Sequence, residues 1–164
     1  MKTETKFPFH YSYTARINAP PQTIFEFLDD PRKISSHMEK SSWMMAGSSM
    51  NVRLDERQGK ELGSEIILDG SMMGIHLFVR EFVTERKPPI KKVWETSGNQ
   101  KLVILEQYRM GFSVTGDGPA NLTVFIDYSL PQSGPGKLLG KLLGRTYAKW
   151  CTKRMAKDAA NRFA

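Results

Sequence analysis

The feature that most restricts how this chain can fold is a change of period. Between Met50 and Leu130, apolar residues recur at every second position in one short segment after another, with turn signals between them. Beyond Ser133 they recur three or four apart to the end of the chain. Period two is the mark of strands lying half-buried on a sheet, and a period near 3.6 is the mark of a helix with one covered side. A chain written this way has to make a sheet first and cover it with a helix afterwards.

The segments read as follows. "FHYSYTARI" alternates, with Phe9, Tyr11, Tyr13, Ala15 and Ile17 on one face, and Pro20-Pro21 end it. "PQTIFEFLDDP" carries Ile24, Phe25, Phe27 and Leu28 at helical spacing, with Pro21 suited to a first helical position and Pro31 stopping the run. "PRKISSHM" reads as a second short helix, and "EKSSWMMAGSSM" as a loop. Strands follow at Met50–Leu54, at "SEIILDG", at "GIHLFVREFVTE" up to Pro88-Pro89, at two segments of "KKVWETSGNQKLVILEQYRMGFSV" joined through "SGNQ", and at "NLTVFIDYSL". "SGPG" opens the last helix, which over residues 137–163 would be roughly 40 Å long.

Consecutive hairpins imply an antiparallel meander, and its apolar face needs a cover. Only the terminal helix is long enough. The expected class is α+β: a curved antiparallel sheet of about seven strands wrapped around a long C-terminal helix, with two short helices after the first strand. The opening "ARINAPPQTIFEFLDDPRKIS" resembles the first strand and helix of the START-like helix-grip superfamily, which includes polyketide cyclases, dehydratases and lipid or hormone carriers. The resemblance covers about Phe9 to Phe163. It implies an apolar cavity under the C-terminal helix, gated by loops between strands, and it brings no universal catalytic set.

The 164 residues, 40% of them hydrophobic, suffice for one domain spanning 1–164 with a core that needs no staples. Cys151 is the single cysteine, which excludes an intrachain disulfide and fits a reducing compartment. "MKTETKFPFHYSY" lacks the apolar run of a signal peptide, and no stretch approaches a membrane span, so a cytoplasmic protein is expected, with the membrane surface as a peripheral location.

Charge is concentrated in the last helix. From Gly136 onward eight basic residues stand against Asp158 alone, a net +7 that equals the formal charge of the whole chain. Lys137, Lys141, Arg145, Lys149, Lys153 and Lys157 recur every four residues, as do Leu139, Leu143, Tyr147, Cys151, Met155 and Ala159 between them. Each series drifts about 40° per step, and the two lie on opposite sides of the helix. The plain interpretation is an apolar side on the sheet and a solvated cationic side. A solvated side could equally mix lysine with glutamate, whereas like charges four apart repel. The sharper interpretation is contact with an anionic membrane surface or an acidic protein. Nucleic acid is a poorer partner, because the basic side lacks stacking aromatics and no nucleic-acid motif occurs.

A ligand site is expected beneath this helix. Tyr13, Leu54, Met72, Phe78, Ile104, Tyr108, Met110, Val124, Leu139, Leu143 and Tyr147 are candidate lining residues, and Trp43, Met44, Met45 and Met73 candidates for the cavity mouth. In "LVILEQYRMGF", Glu106 shares a face with five apolar or aromatic residues, so it is expected to point inward and to need a partner, with His76 or Arg80 available if Phe78 and Phe82 mark the inner face of their strand. Ile75, Leu77, Val79 and Val83 argue for the opposite face. Binding, carriage or sensing of a hydrophobic or amphipathic small molecule is the favoured function, without a cofactor. The alternatives are a small cyclase or dehydratase using Glu106, His76 and Tyr108, and a peripheral adaptor acting through the basic helix. No nucleophile motif is present, and His10, His37 and His76 lack metal-ligand spacing.

Overall fold

The computed structural model describes residues 5–35, 49–72, 74–98 and 100–164. Seven strands form one antiparallel sheet: β1 (Phe9–Ile17), β2 (Ser49–Leu54), β3 (Glu65–Met72), β4 (Ile75–Lys87), β5 (Lys91–Thr96), β6 (Gln107–Thr115) and β7 (Ala120–Ser129). Their spatial order is β1-β7-β6-β5-β4-β3-β2, so every consecutive pair from β2 to β7 is a hairpin and β1 closes onto β7. The helices α1 (Pro21–Leu28) and α2 (Pro31–Ile34) follow β1, and α3 (Gly134–Arg162) ends the chain. The α+β helix-grip arrangement expected from the change of period is the one observed.

Register shows why one face is apolar. Phe112 pairs with Val124, Met110 with Ile126 and Trp94 with Met110 across β5, β6 and β7, and all of these are buried. The intervening residues carry the opposite chemistry: on the outer face Arg109 donates to Asp127 at 2.8 Å, and Arg80 donates to Glu65. Helix α1 plugs one end of the trough, its Phe25 ring 5.5 Å from that of Phe112.

A charged cluster fastens that plug. Lys92, on β5, is fully buried and donates to the Asp29 carboxylate at 2.9 Å, to the Asp29 carbonyl at 2.7 Å and to the Gly59 carbonyl at 2.6 Å. Arg86 on β4 grips the same carboxylate through two nitrogens, at 3.1 and 2.8 Å. Burial alone would raise the Asp29 pKa, but the hydrogen bonds from Arg86 and Lys92 outweigh it and hold the carboxyl below its ordinary value.

Helix α3 departs from expectation in its first half. Tyr147, Cys151, Met155 and Ala159 do face the sheet, whereas Leu139 and Leu143 are exposed and Gly140 and Gly144 are buried in their place. The reason is close approach. A Cβ on Gly136 would lie 2.9 Å from the Val103 carbonyl oxygen, one on Gly140 2.8 Å from that of Ile104, and one on Gly144 2.7 Å from a methyl of Leu130. The glycine stripe lets the helix lie on the backbone, and any side chain there would push it off. Gly140→Val tests this. At an open helical site a larger residue gains up to about 1 kcal/mol over glycine, while here a loss of about 1–3 kcal/mol is expected from overpacking, measured by urea denaturation.

The segment beneath those glycines also differs from expectation. The strand anticipated through Leu102 and Ile104 begins only at Gln107, because the β5–β6 ladder ends with the pair Glu95–Arg109 and earlier residues have no β5 neighbour. Residues 102–106 form an irregular connector under α3, with Leu105 buried. The basic series is likewise not one solvated stripe. Lys137, Lys141, Arg145 and Lys157 are exposed, but Lys149 and Lys153 are half-buried, with their ammonium groups 5.9 and 5.7 Å from the rings of Tyr11 and Tyr13.

Candidate ligand-binding site

The buried face of β4 is Leu77, Val79, Glu81 and Val83. One member of this apolar alternation is a carboxylate, and it projects into the space between sheet and α3. Tyr108, on β6, donates its phenol to Glu81 Oε1. The backbone of Tyr108 is fixed by Thr96, whose hydroxyl accepts from the Tyr108 amide at 3.2 Å and donates to its carbonyl at 3.3 Å. Thr96 pairs with Glu81 across β4 and β5, so three neighbouring strands hold the carboxyl and phenol in one place.

Burial pushes the Glu81 pKa up to about 7, against the smaller opposing pull of the Tyr108 hydrogen bond and the Lys92 charge. Burial and the Glu81 charge raise Tyr108 well above its ordinary value. Tyr147 is raised by burial and by neighbouring Cys151 and Glu81, and the Cys151 thiol is pushed up to about 12 by burial and by Glu81. Near neutral pH the site therefore holds one carboxyl that changes charge and three groups that keep their protons.

Two pockets meet here. One, of about 60 Å³, is lined by Leu68, Glu81, Trp94, Tyr108, Met110, Tyr147 and Cys151 among others. The second, of about 50 Å³, lies toward the 102–105 connector and is lined by Met50, Val79, Leu102 and Ile104, sharing Leu68, Tyr108 and Tyr147 with the first. At roughly 10–15 Å³ per water, each takes a handful of waters or a small apolar group. The shared side chains form a partition, and of these Tyr147 stands on the covering helix, its ring 5.9 Å from that of Trp150. Lys92 lines the first pocket, but its three hydrogen bonds to Asp29 and Gly59 already use its three donors.

Of the residues singled out from the sequence, Tyr108, Tyr147, Met110 and Ile104 line these pockets. Tyr13 and Leu54 pack against the core, and Val124 is fully buried in it, away from both pockets. His76 and Phe78 lie on the other face of β4; His76 is exposed and bonded to Asp69 at 2.7 Å, since the register is the one set by Leu77, Val79 and Val83. Glu106 is exposed on the connector, because the strand that would have turned it inward does not reach it. Leu139 and Leu143 are exposed through the glycine contacts described above. Trp43, Met44, Met45 and Met73, and the side chain of Met72, lie outside the described residues. Glu81 was the residue not anticipated, although its place in the Leu77-Val79-Val83 alternation is visible in the sequence. Among the described residues no cluster of three His, Cys, Asp or Glu is arranged to hold a metal ion.

Comparison of the folds agrees with this architecture. A START superfamily protein from Mycobacterium smegmatis superposes with a TM-score of 0.60 at 17% identity, over 94% of this chain and 96% of that one. Ginseng major latex-like protein 151 from Panax ginseng does so at 0.58 and 15%, over 95% and 97%. The di-domain ARO/CYC StfQ from the steffimycin biosynthetic pathway gives 0.60 at 13%, over 93% of this chain and 51% of its own length, so this chain spans about half of it. No protein-family model and no curated protein matches the sequence. The fold is the START-like helix-grip fold, and at these identities the likeness concerns the fold alone.

Proposed function

We propose that the chain binds a hydrophobic or amphipathic small molecule between the sheet and α3, with Glu81 and Tyr108 meeting the polar group of the guest. The observation that carries this reading is the Glu81 carboxyl, buried in an apolar pocket against Tyr108 and titrating near neutrality. A buried ionisable group whose pKa is moved so far is costly to the fold, and such groups concentrate at functional sites. When ionised it accepts a hydrogen bond from a hydroxyl or amine; when protonated it donates to a carbonyl. Leu68, Tyr108 and Tyr147 line both small pockets, and a guest larger than a few atoms would need Tyr147, the one of the three on the covering helix, to turn aside.

1-Naphthol, an apolar body with a single hydroxyl, is a suitable probe. Binding followed by fluorescence should be about five- to tenfold tighter at pH 8 than at pH 5, because a charge-assisted hydrogen bond is roughly twice as strong as a neutral one. The dependence should turn over near pH 7 and vanish in Glu81→Gln. Tyr147→Ala, which removes the part of the partition that stands on α3, should tighten binding about tenfold. Binding with the same pH profile in Glu81→Gln would refute the role of the carboxyl, and no binding by wild type or Tyr147→Ala would refute the chamber.

The same pair also has the protonation states of a general acid and base, so a cyclase or dehydratase is the second reading, with Glu81 and Tyr108 replacing Glu106 and His76. Turnover of a poly-β-ketone substrate that disappears in Glu81→Gln while probe binding persists would favour it over carriage.

A further inference from the structure

The first half of α3 carries an apolar surface that the cavity does not use. Leu138, Leu139, Leu142 and Leu143, in the first third of the longest described helix, are exposed by 64, 36, 65 and 38%. Gly136, Gly140 and Gly144 occupy the side that faces the protein, which puts Leu138 and Leu142 on the side turned away from it and Leu139 and Leu143 on the flank. Lys137, Lys141 and Arg145 flank them and are exposed as well. Among the described residues none of these three cations is paired with a carboxylate, and no acidic residue occurs in the sequence between Asp127 and Asp158. Four exposed leucines beside unpaired cations are an unfavourable way to face water and a favourable way to face a layer that is anionic at its surface and apolar below it.

From this we infer that the outward side of α3 between Lys137 and Arg145 docks onto an anionic phospholipid bilayer, with the leucines entering the headgroup boundary and the cations meeting the phosphates. The occupant is set by the combination. An acidic protein would satisfy the cations without giving four leucines an apolar bed, and a second copy of this chain would bring the same cations against each other. A helix lying in the membrane plane uses both halves of the pattern, and long cationic side chains reach back toward the headgroups while their stems stay in apolar surroundings. Among the described residues no helix is long and apolar enough to cross a membrane, and the proposed contact is with the surface. The inference is independent of what the cavity holds.

Vesicle flotation tests it with the full chain. Wild type should partition at least tenfold better onto phosphatidylcholine vesicles containing about one-third phosphatidylserine than onto phosphatidylcholine alone, and the preference should fall as salt is added. Each cation at an anionic surface changes partitioning by about fivefold, so neutralising Lys137, Lys141 and Arg145 to glutamine should cost roughly a hundredfold. Neutralising Arg53, Lys60 and Lys87 changes net charge equally and should leave binding nearly intact. Leu138→Gln with Leu142→Gln should reduce binding about tenfold while leaving 1-naphthol binding and the circular dichroism spectrum unchanged. Equal partitioning onto neutral and anionic vesicles, equal losses in the two charge triples, or no effect of the leucine pair would each overturn the proposal. So would a concentration-dependent dimer that the leucine pair abolishes, or retention on polyglutamate without retention on vesicles.

Discussion

Glu81→Gln is expected to stabilise the protein by up to about 3 kcal/mol at pH 8 and by less than about 1 kcal/mol at pH 5. The carboxyl titrates near 4.5 when unfolded and at about 7 when folded, and at about 1.4 kcal/mol per pH unit the gap corresponds to roughly 3 kcal/mol. Because the folded value is the higher one, the fold is favoured while the group is protonated in both states. That advantage is complete below about 4.5 and is lost as pH rises through 7. Glutamine still offers Tyr108 an oxygen to donate to and never ionises. Urea denaturation at the two pH values measures the difference. A similar change in stability at both would mean that Glu81 is not carrying its charge into the apolar pocket. The result would also say what the site is for, since a group that weakens its own fold at neutral pH is kept for something other than stability.

Lys92→Met is expected to act in the opposite direction and more strongly, with a loss of about 3–5 kcal/mol at pH 7. The ammonium joins α1 to β5 and to the turn at Gly59. Methionine fills similar volume but strands two carbonyls and half-undoes the grip on Asp29, leaving Arg86 as its cationic partner. There is a pH signature as well. The folded Asp29 pKa lies below its unfolded value, so its contribution is present above the unfolded pKa, near 3.8, and is lost as pH falls through the folded one. Removing Lys92 moves the folded pKa upward and should shift acid unfolding to higher pH. Unchanged stability and an unchanged acid limb would show that Arg86 alone holds α1.

The two residues illustrate how differently buried charge is used in one pocket wall. Lys92 spends all its donors on the protein and is structural, whereas Glu81 has the phenol of Tyr108 as its side-chain partner among the described residues and faces the pocket. Neither was anticipated as a site residue, although Glu81 stands in register with Leu77, Val79 and Val83. Glu106 sat in a run whose alternation, Leu102-Ile104-Glu106-Tyr108, had the look of a continuous strand. Alternation says which residues share a face only where a neighbouring strand exists to continue the ladder. β5 stops at Thr96, and residues 102–105 have no ladder partner. On β4 both faces carried apolar residues, so periodicity left the inner face open between the side of His76 and Arg80 and the side of Leu77, Val79 and Val83, and the fold buries the second, with Glu81 on it.

The pattern along the chain was sufficient by itself for the class of fold. Repeated period-two segments bounded by glycine and proline make hairpins, and one long helix is the only cover large enough for the sheet they form. Those are local properties, set by side-chain direction every second or every fourth residue. Tertiary contact alone decided which carboxylate lines a pocket, that Leu68, Tyr108 and Tyr147 stand between two pockets, and that α3 meets the body of the protein through glycines and turns its leucines outward. The physical reason is that a period identifies the two sides of a helix or strand but not which side a neighbour will approach. That choice depends on how closely two backbones can come together, and at Gly136, Gly140 and Gly144 the absence of a side chain outweighed the hydrophobicity of four leucines.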